Sequence, residues 1–273
     1  MYKLKTLETG FFRVDGGAMF GAIPKKAWSK KYPCDDSNLC RLSLRCVLAI
    51  SSNRKILIDT GIRYEDIQTY SYYGFTEVKQ IDDCLQEIGL RTDEITDVVL
   101  THLHFDHCAA SVRKDEKGEC LPMFPQAQYW CSRAQWKAAC HPNLLEADSF
   151  CQEEMAALMA AGKLTLIDEG LALDEHFYVK IFDGHTDGQL ACYINGEKGN
   201  YLIPSDVIPT VANVPLTWLS AYDIHAAASV QSKMELLKEA IAADRELIFY
   251  HDAYRPSAKV VKSGEFLYTV KRK

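Results

Sequence analysis

Three histidines and one aspartate lie within a short stretch of the chain, at His102, His104, Asp106 and His107. In an extended segment alternate residues share one face, so the first three side chains would point the same way. A turn after Asp106 would then bring His107 toward them. Imidazole nitrogens and carboxylate oxygens are ligands for zinc and other first-row divalent metals. The cluster therefore predicts a metal site rather than a polar surface loop.

The elements around this cluster can be predicted from hydrophobic patterning. Residues 97–101 form a short apolar run, which is typical of a buried strand in a covered sheet. Ligands that follow such a strand lie in a loop at its carboxyl end, the usual place for sites in α/β folds. The pattern predicts further strands at residues 44–50, 55–59, 128–131, 164–167, 177–182, 190–194, 200–203 and 246–250.

Helical patterns occupy residues 76–89, 132–162 and 224–243. In the first of these, apolar residues recur on one face and Gly89 is a plausible C-terminal stop. No repeat, low-complexity tract or flexible linker divides the chain. We therefore expect one α/β domain over residues 1–273, with a helical insert at about 132–162.

Composition excludes several classes of function. The chain has 273 residues and a formal net charge of −6, which argues against binding nucleic acid through phosphate charge. No long apolar stretch and no secretory N-terminus are evident, so we expect no membrane association and a cytoplasmic location. The ten cysteines include no Cys-x-x-Cys pair, which favours reduced, buried thiols. Cys108, beside the cluster, is interpreted as a packed thiol.

Four further motifs accompany the histidine cluster in a fixed order along the chain. They are Leu57-Ile58-Asp59-Thr60-Gly61, Gly184-His185-Thr186-Asp187-Gly188-Gln189, Ser205-Asp206 and His251-Asp252. Each adjoins a predicted strand end. With the His102-x-His104-x-Asp106-His107 motif, this series resembles the metallo-β-lactamase superfamily of hydrolases. The resemblance implies a four-layer αββα sandwich that carries two metal ions.

The roles that the resemblance implies are assigned position by position. The first metal ion would be held by His102, His104 and His185. The second would be held by Asp106, His107 and His251. Asp206 corresponds to the carboxylate that bridges both ions, and Asp59 to a residue that braces the site.

The resemblance also implies how the site would react. A hydroxide that bridges the two ions would attack the substrate, and Asp106 would pass a proton to the leaving group. Zinc is the expected metal, because His104 stands where redox di-iron members of the superfamily carry Glu. Manganese and iron remain alternatives.

A narrower resemblance concerns the substrate. The segment from Met19-Phe20-Gly21 to Trp28 resembles the branch that holds N-acyl homoserine lactone lactonases and parathion-type organophosphate hydrolases. The residues expected to line an apolar pocket are Met19, Phe20, Trp28 and Trp218, and the alternative for the first three is that they pack the N-terminal arm. Pro209 stands where many lactonases of this branch carry a tyrosine that holds the substrate carbonyl. A different donor is therefore needed.

Together these features predict a dinuclear metal-dependent hydrolase that opens a lactone or cleaves an ester of a small molecule. Phosphotriester hydrolysis and thioester hydrolysis of the glyoxalase II type are alternative reactions, and a metal-binding sensor is the non-enzyme alternative. The acidic balance argues against a nuclease. Members of the branch are often homodimers, so the resemblance implies a homodimer.

Overall fold

The computed structural model describes residues 1–271, in which strands and short helices alternate. The strands of this part are β1 (Lys3–Asp15), β2 (Leu39–Ile50), β3 (Lys55–Ile58), β4 (Asp97–Val99), β5 (Val112–Lys114), β6 (Cys120–Pro122), β7 (Gln128–Ser132), β8 (Leu164–Ile167), β9 (Leu171–Asp174), β10 (Phe177–Phe182), β11 (Gln189–Gly196), β12 (Gly199–Ile203), β13 (Glu246–Ile248), β14 (Ser257–Lys262) and β15 (Tyr268–Val270). The α-helices are α1 (Gly16–Phe20), α2 (Lys25–Trp28), α3 (Ile81–Gln86), α4 (Phe105–Cys108), α5 (Arg133–Cys140), α6 (Gln152–Ala160) and α7 (Ala226–Ala242).

Two large sheets form the centre of the molecule. The first has the strand order β1-β2-β3-β4-β7-β8, and the second has the order β15-β14-β13-β12-β11-β10-β9. Apolar side chains from both sheets meet in one buried layer, for example Val47 and Ile58 from the first sheet and Leu190 and Ile203 from the second. The two sheets are therefore packed face to face.

Helices cover the outer face of each sheet. Leu85 of α3 and Leu158 of α6 are buried in the cluster that includes Leu57 of the first sheet. On the other side, Leu236 and Leu237 of α7 are buried in the cluster that includes side chains of the second sheet. The layers follow the order helix, sheet, sheet, helix, and the predicted αββα sandwich is confirmed.

The longest strand, β1, was not predicted. Its ladder with β2 shifts register between Glu8 and Phe11, where Gly10 has a φ of +142°. Such an irregularity interrupts the alternation of apolar and polar residues on which strand prediction depends. The strand is fixed by pairing with residues 24 to 47 positions away, for example Glu8 with Arg45.

The helix predicted at residues 76–89 is shorter than expected, with only Ile81–Gln86 α-helical. Thr76 instead exchanges backbone hydrogen bonds with Phe11 of β1, and Lys79 donates to the carbonyl of Thr9. Pairing with the sheet edge outweighs the local helical pattern in this segment. Gly89 has a φ of +77° just after the helix, as expected of a C-terminal stop.

The insert predicted as helical over residues 132–162 contains two helices rather than one. α5 ends at Cys140, α6 begins at Gln152, and an irregular segment with Pro142 joins them. Proline cannot donate a backbone hydrogen bond, which explains why the helical pattern does not continue. This joining segment reaches the functional site described below. Within residues 1–271, none of the helices is long and apolar enough to cross a membrane.

Candidate metal centre

The residues predicted as ligands meet where strands of both sheets end. β3 and β4 are parallel neighbours, and the chain that leaves them carries Asp59 and then His102. β12 and β13 are also parallel, and the chain that leaves them carries Asp206 and His251. Parallel strands present their carboxyl ends at one edge of a sheet, so these residues converge. His185 comes from the turn between β10 and β11.

Seven side chains offer ligand atoms within this space. One group is formed by His102, His104 and His185, and another by Asp106, His107 and His251. We call these the first and the second ligand set. Asp206 lies between the two sets, with carboxylate oxygens 3.5 Å from His107 Nε2, 3.6 Å from His185 Nε2 and 3.3 Å from His251 Nε2. The arrangement corresponds to two metal positions with one shared carboxylate.

The inner atoms of these side chains have few partners within the protein. His102 Nε2 and Asp206 Oδ1 are buried and have no hydrogen-bond partner among the described residues. Two nitrogen pairs also approach closely, His104 Nδ1 with His185 Nε2 at 3.2 Å and His107 Nε2 with His251 Nε2 at 3.3 Å. Neutral imidazoles present lone pairs at such positions, which suits divalent cations. The residues therefore fit two divalent metal ions.

The second ligand set is supported from the interior of the fold. Asp59 is fully buried and accepts hydrogen bonds from His107 Nδ1 at 2.9 Å and from the backbone N–H of Thr101 at 2.8 Å. Asp59 itself has a φ of +56°, a conformation that non-glycine residues adopt mainly at functional sites. The adjacent Thr60 N–H donates to the carbonyl of His107. This turn thus fixes both the ring and the backbone of His107.

Two further contacts complete the support of the second set. His251 Nδ1 lies 2.9 Å from the carbonyl oxygen of Ser43 on β2, which can accept its proton. The ring of Tyr250 stacks on His107 with centroids 3.9 Å apart, and its hydroxyl donates to the carbonyl of Asp106 at 2.6 Å. Each histidine of this set therefore directs Nε2 inward, because its Nδ1 is held by an acceptor.

The first ligand set has supports of a different kind. His102 Nδ1 lies 3.2 Å from the hydroxyl oxygen of Thr101, which also donates to Asp59. His104 Nε2 lies 3.3 Å from Glu146, and His185 Nδ1 lies 3.4 Å from Asp223. Both of these carboxylates belong to irregular segments outside the sheets. They hold the outer nitrogens, and the inner ones remain available as ligands.

The charged neighbours of the ligands shift their pKa values in different directions. Burial and the neighbouring imidazoles hold the pKa of His102 well below its usual value, so this ring is neutral. Burial opposes ionisation of Asp206, yet His251 and His107 hold the pKa of its carboxyl well below the ordinary range. Burial lowers the pKa of His251, but Asp206 and Asp106 outweigh it and raise that pKa to about 9. A cation that binds here would release this proton.

Glu146 is ionised as well. Burial acts to raise the pKa of its carboxyl, but hydrogen bonds from His104 and Thr186 lower it below the usual value. The site therefore places ionised carboxylates around buried imidazoles, and a divalent cation would neutralise their negative charge.

A cavity of about 150 Å³ opens directly onto the ligands. Its walls combine ligand atoms with apolar and aromatic side chains, including Phe12, Val14, Leu42, Phe105 and Ile224. Its neutral polar groups are the side chains of Tyr73, Ser149, Ser220 and Tyr222. Among the described residues, neither lysine nor arginine lines it. The cavity thus suits an uncharged, largely apolar molecule.

The residues predicted to line the pocket divide into two kinds. Met19 lines the cavity. Phe20, Trp28 and Trp218 are not among the residues that line it. Phe20 stacks on Trp28 at 5.2 Å and meets Trp218 at 6.2 Å, so the aromatic rings pack against one another behind the wall. Pro209 lines the cavity, at the position where a tyrosine would stand.

Cys108 takes no part in the ligand groups of the described chain. Its side chain is fully buried, and burial raises the pKa of the thiol well above its usual value. It packs in the apolar cluster that covers the first sheet. This agrees with the interpretation of Cys108 as a packed thiol.

Sequence reasoning missed the supports of the ligands, except for Asp59. Glu146, Asp223 and Tyr250 belong to none of the motifs considered, and the Ser43 contact uses a backbone carbonyl that any residue offers. Only Tyr250 carried a local signal, since it precedes His251 in an apolar run.

Comparison with known proteins agrees with this geometry. Residues 45–113 match the family model described as the metallo-beta-lactamase superfamily. An N-acyl homoserine lactonase from Bacillus thuringiensis is 22% identical over 231 residues, which cover 78% of this chain and 83% of that protein. The resemblance to the superfamily is therefore confirmed, with weak similarity to its lactonases.

Solved structures share the fold along nearly the whole chain. A probable metal-dependent hydrolase from Staphylococcus aureus matches with a TM-score of 0.85 and 24% identity, covering 100% of this chain and 98% of that one. A dizinc quorum-quenching lactonase in complex with a product matches with a TM-score of 0.78 and 19% identity, covering 100% and 94%. The hydrolase AbOPH also has a TM-score of 0.78, with 16% identity and coverage of 98% and 93%. At these identities the likeness establishes the fold, and metal-dependent hydrolysis is supported as the reaction class.

Proposed function

We propose that this protein is a dinuclear metal-dependent hydrolase that opens a lactone or cleaves an ester of an uncharged, apolar small molecule. The observation that carries the proposal is the position of the cavity, which places Asp106, Asp206 and His251 in the same wall as apolar side chains. A substrate bound by its apolar part would thus present its polar group to the ligand atoms.

The side chains around the cavity suggest how they would take part. Two divalent ions held by the ligand sets, most simply zinc, would supply an activated water and a Lewis acid for the carbonyl oxygen. Asp106 lines the cavity and could transfer a proton to the leaving alkoxide. Phe12 and Leu42 would exclude bulk water from the reacting group.

A donor for the substrate carbonyl is available although Pro209 carries none. Tyr222 and Tyr73 both line the cavity that contains Asp106. Burial raises the pKa of both phenols, so both remain protonated donors at neutral pH. The side chain of Tyr73 is hydrogen-bonded to Tyr72, so Tyr222 is the better candidate to hold the substrate carbonyl.

The lack of lysine and arginine in the described lining weighs against two alternatives. Thioesters of glutathione and phosphodiesters of nucleic acid carry negative charge that a binding site normally neutralises with lysine or arginine. A phosphotriester is uncharged, however, and would fit the same apolar cavity. Phosphotriester hydrolysis is therefore the second candidate function.

The test is a hydrolysis screen of metal-stripped protein reloaded with zinc or with manganese. The substrates are lactones of increasing acyl length, neutral aryl esters and phosphotriesters, with a lactone that bears a carboxylate as the charged control. We expect turnover that depends on metal and falls for the charged analogue. If the protein binds two ions per chain and hydrolyses no lactone or ester, the proposal is wrong, and turnover of phosphotriesters alone would favour the second candidate.

Two further variants separate an enzyme from a metal-binding sensor. Asp206→Asn removes the shared carboxylate and should abolish turnover, whereas Asp187→Asn changes a half-exposed carboxylate that pairs with His225 and should not. We also propose that the protein forms a homodimer, which light scattering at micromolar concentration would test.

A further inference from the structure

The segment that joins α5 to α6 changes from very exposed to buried within two positions. Leu144 and Leu145 are 98% and 81% exposed, and Leu145 stands at the edge of the cavity. Glu146, the next residue, is only 4% exposed and lines the same cavity. A carboxylate is rarely buried without partners, so its contacts indicate why the segment turns inward here.

Both oxygens of Glu146 have partners. Oε2 lies 3.3 Å from Nε2 of His104, and Oε1 accepts a hydrogen bond at 2.7 Å from the side-chain amide of Asn143. The other ring nitrogen of His104 faces His185. A hydrogen bond to Glu146 places the proton of His104 on Nε2 and leaves Nδ1 as the ligand atom.

The same segment touches His104 a second time. Phe150 forms an isolated antiparallel bridge with the backbone of His104, and its ring lies 5.1 Å from the imidazole. His104 is thus held on one side by a carboxylate and on another by backbone and an aromatic ring. All of these contacts come from one irregular segment between two short helices.

We propose that Glu146 is a positioning residue that couples the segment at the mouth of the cavity, residues 143–150, to the first metal position through His104. Metal binding at the first ligand set then orders this segment. Because coupling of two equilibria is reciprocal, a substrate that packs against Leu145 strengthens metal binding at the first set. The inference rests on the metal site of the proposed function but does not depend on which substrate is hydrolysed.

The principal test is Glu146→Ala, with Glu153→Ala as the matched control. Glu153 is an exposed carboxylate on α6 of the same insert. Zinc affinity is measured by competition with a chromophoric chelator, and hydrogen exchange of residues 143–150 is followed with and without zinc. Loss of an outer partner typically weakens metal binding about 10- to 100-fold, so one of the two zinc steps should weaken by that factor.

The exchange measurement separates positioning from general stability. In the unmodified protein and in Glu153→Ala, zinc should slow exchange in residues 143–150, and in Glu146→Ala this slowing should disappear. Glu146→Gln keeps an acceptor without the charge and should recover part of the affinity. Equal zinc affinity and equal zinc-dependent protection in Glu146→Ala and Glu153→Ala would overturn the proposal.

A milder variant covers the case in which Glu146→Ala does not fold. Asn143→Ala removes the donor to Oε1 and the side-chain acceptor of the Leu145 N–H, but it leaves the contact between Glu146 and His104 in place. It should weaken the same zinc step about threefold, and an unchanged step would contradict the proposal. None of these readouts needs a substrate. A protein that shows the coupling but hydrolyses no lactone or ester would refute the proposed function and leave this inference intact.

Discussion

The two ligand sets differ in the part of the fold that holds them. His107 and His251 of the second set are fixed by Asp59, which follows β3, and by the carbonyl of Ser43 on β2. His104 and His185 of the first set are fixed by Glu146 and Asp223, which lie on irregular segments around the cavity. Asp59 and Ser43 belong to the core, so their contacts with the ligands should change little when a molecule enters the cavity. Glu146 and Asp223 lie at the rim of the cavity, so their contacts can respond to what binds there.

This difference has a functional meaning. The segments that carry Glu146 and Asp223 also supply Leu145 and Tyr222 to the cavity wall. Whatever binds in the cavity therefore meets the supports of the first set directly. Asp106 and His251 of the second set also line the cavity, but the supports of this set do not, since Asp59 is fully buried beneath it.

The largest effect should follow removal of both ions. Chelation should abolish turnover, by more than about 1000-fold, because the activated water and the Lewis acid are both lost. If support from irregular segments holds an ion less firmly than support from the core, the first set should release its ion faster. Zinc should then leave in two phases when a chromophoric chelator takes it up. Glu146→Ala should accelerate the fast phase alone. Release of both ions in one phase, in the unmodified protein and in Glu146→Ala, would contradict the idea that the two ligand sets hold their ions differently.

The next effect concerns the core support of the second set. Asp59→Asn keeps one acceptor oxygen but turns an amide N–H₂ toward either the Thr101 N–H or His107 Nδ1. One of these buried hydrogen bonds is therefore lost, and the free energy of unfolding should fall by about 3 kcal/mol. The variant should also bind only one zinc ion tightly. Urea unfolding and metal analysis are the measurements.

The control for this prediction is another buried carboxylate in the same sheet. Asp97 pairs with Arg54 and accepts a hydrogen bond from Trp130 at the amino end of β4, whereas His102 follows the carboxyl end of that strand. Asp97→Asn should also destabilise the protein but retain both zinc ions. Loss of an ion in both variants would mean that general instability, rather than the position of Asp59, releases the metal.

The cluster from His102 to His107 could be predicted as a metal site from its residue types and spacing after an apolar run, whereas His185, Asp206 and His251 were assigned through the resemblance to a known family. The run before His102 and the run before His251 are short and apolar, and this pattern depends only on neighbouring residues. The supports of the first set could not be predicted in this way. Glu146 lies 42 positions from His104, inside the stretch predicted as helical, and Asp223 lies 38 positions from His185, just before the next helical pattern.

The N-terminal region shows the same limit. β1 is defined by its long-range ladder with β2, and a register shift near Gly10 hides its alternation. The aromatic residues that follow were expected in the cavity wall, but composition alone does not indicate which ring faces a cavity. Phe20 and Trp28 stack on each other, and only Met19 of that segment reaches the cavity.

A smaller effect is expected at Asp223, the second carboxylate at the rim of the cavity that supports the first ligand set. Asp223→Asn should weaken zinc binding at the first set about tenfold, because His185 loses a charged partner for its Nδ1. The stability of the metal-free protein should change by less than about 1 kcal/mol, as for other changes outside the core. Asp187→Asn, at an exposed carboxylate of the turn that carries His185, should leave zinc affinity unchanged. A loss of zinc affinity in the Asp187 variant as large as in the Asp223 variant would argue that charge near the site, not the contact with His185, matters.

The smallest effect is expected at Tyr222. It should separate substrate binding from metal binding on the segment that carries both Tyr222 and Asp223. Tyr222 adjoins Asp223 and lines the cavity, but it contacts none of the ligands by a hydrogen bond among the described residues. Tyr222→Phe removes only the hydroxyl, so kcat/KM for a lactone should fall about threefold, the loss expected for one hydrogen bond to a neutral carbonyl. Zinc affinity should stay the same.

Tyr254→Phe is the matched control for this last prediction. Tyr254 is exposed and lies outside the cavity lining, so its variant should keep the full kcat/KM. An unchanged kcat/KM in Tyr222→Phe would remove this phenol as the donor that compensates for Pro209, and Tyr73 would become the next candidate to test. If zinc affinity changes instead, the segment that carries Tyr222 and Asp223 acts on the metal as a unit. Its contact with the substrate and its contact with His185 would then not be separable.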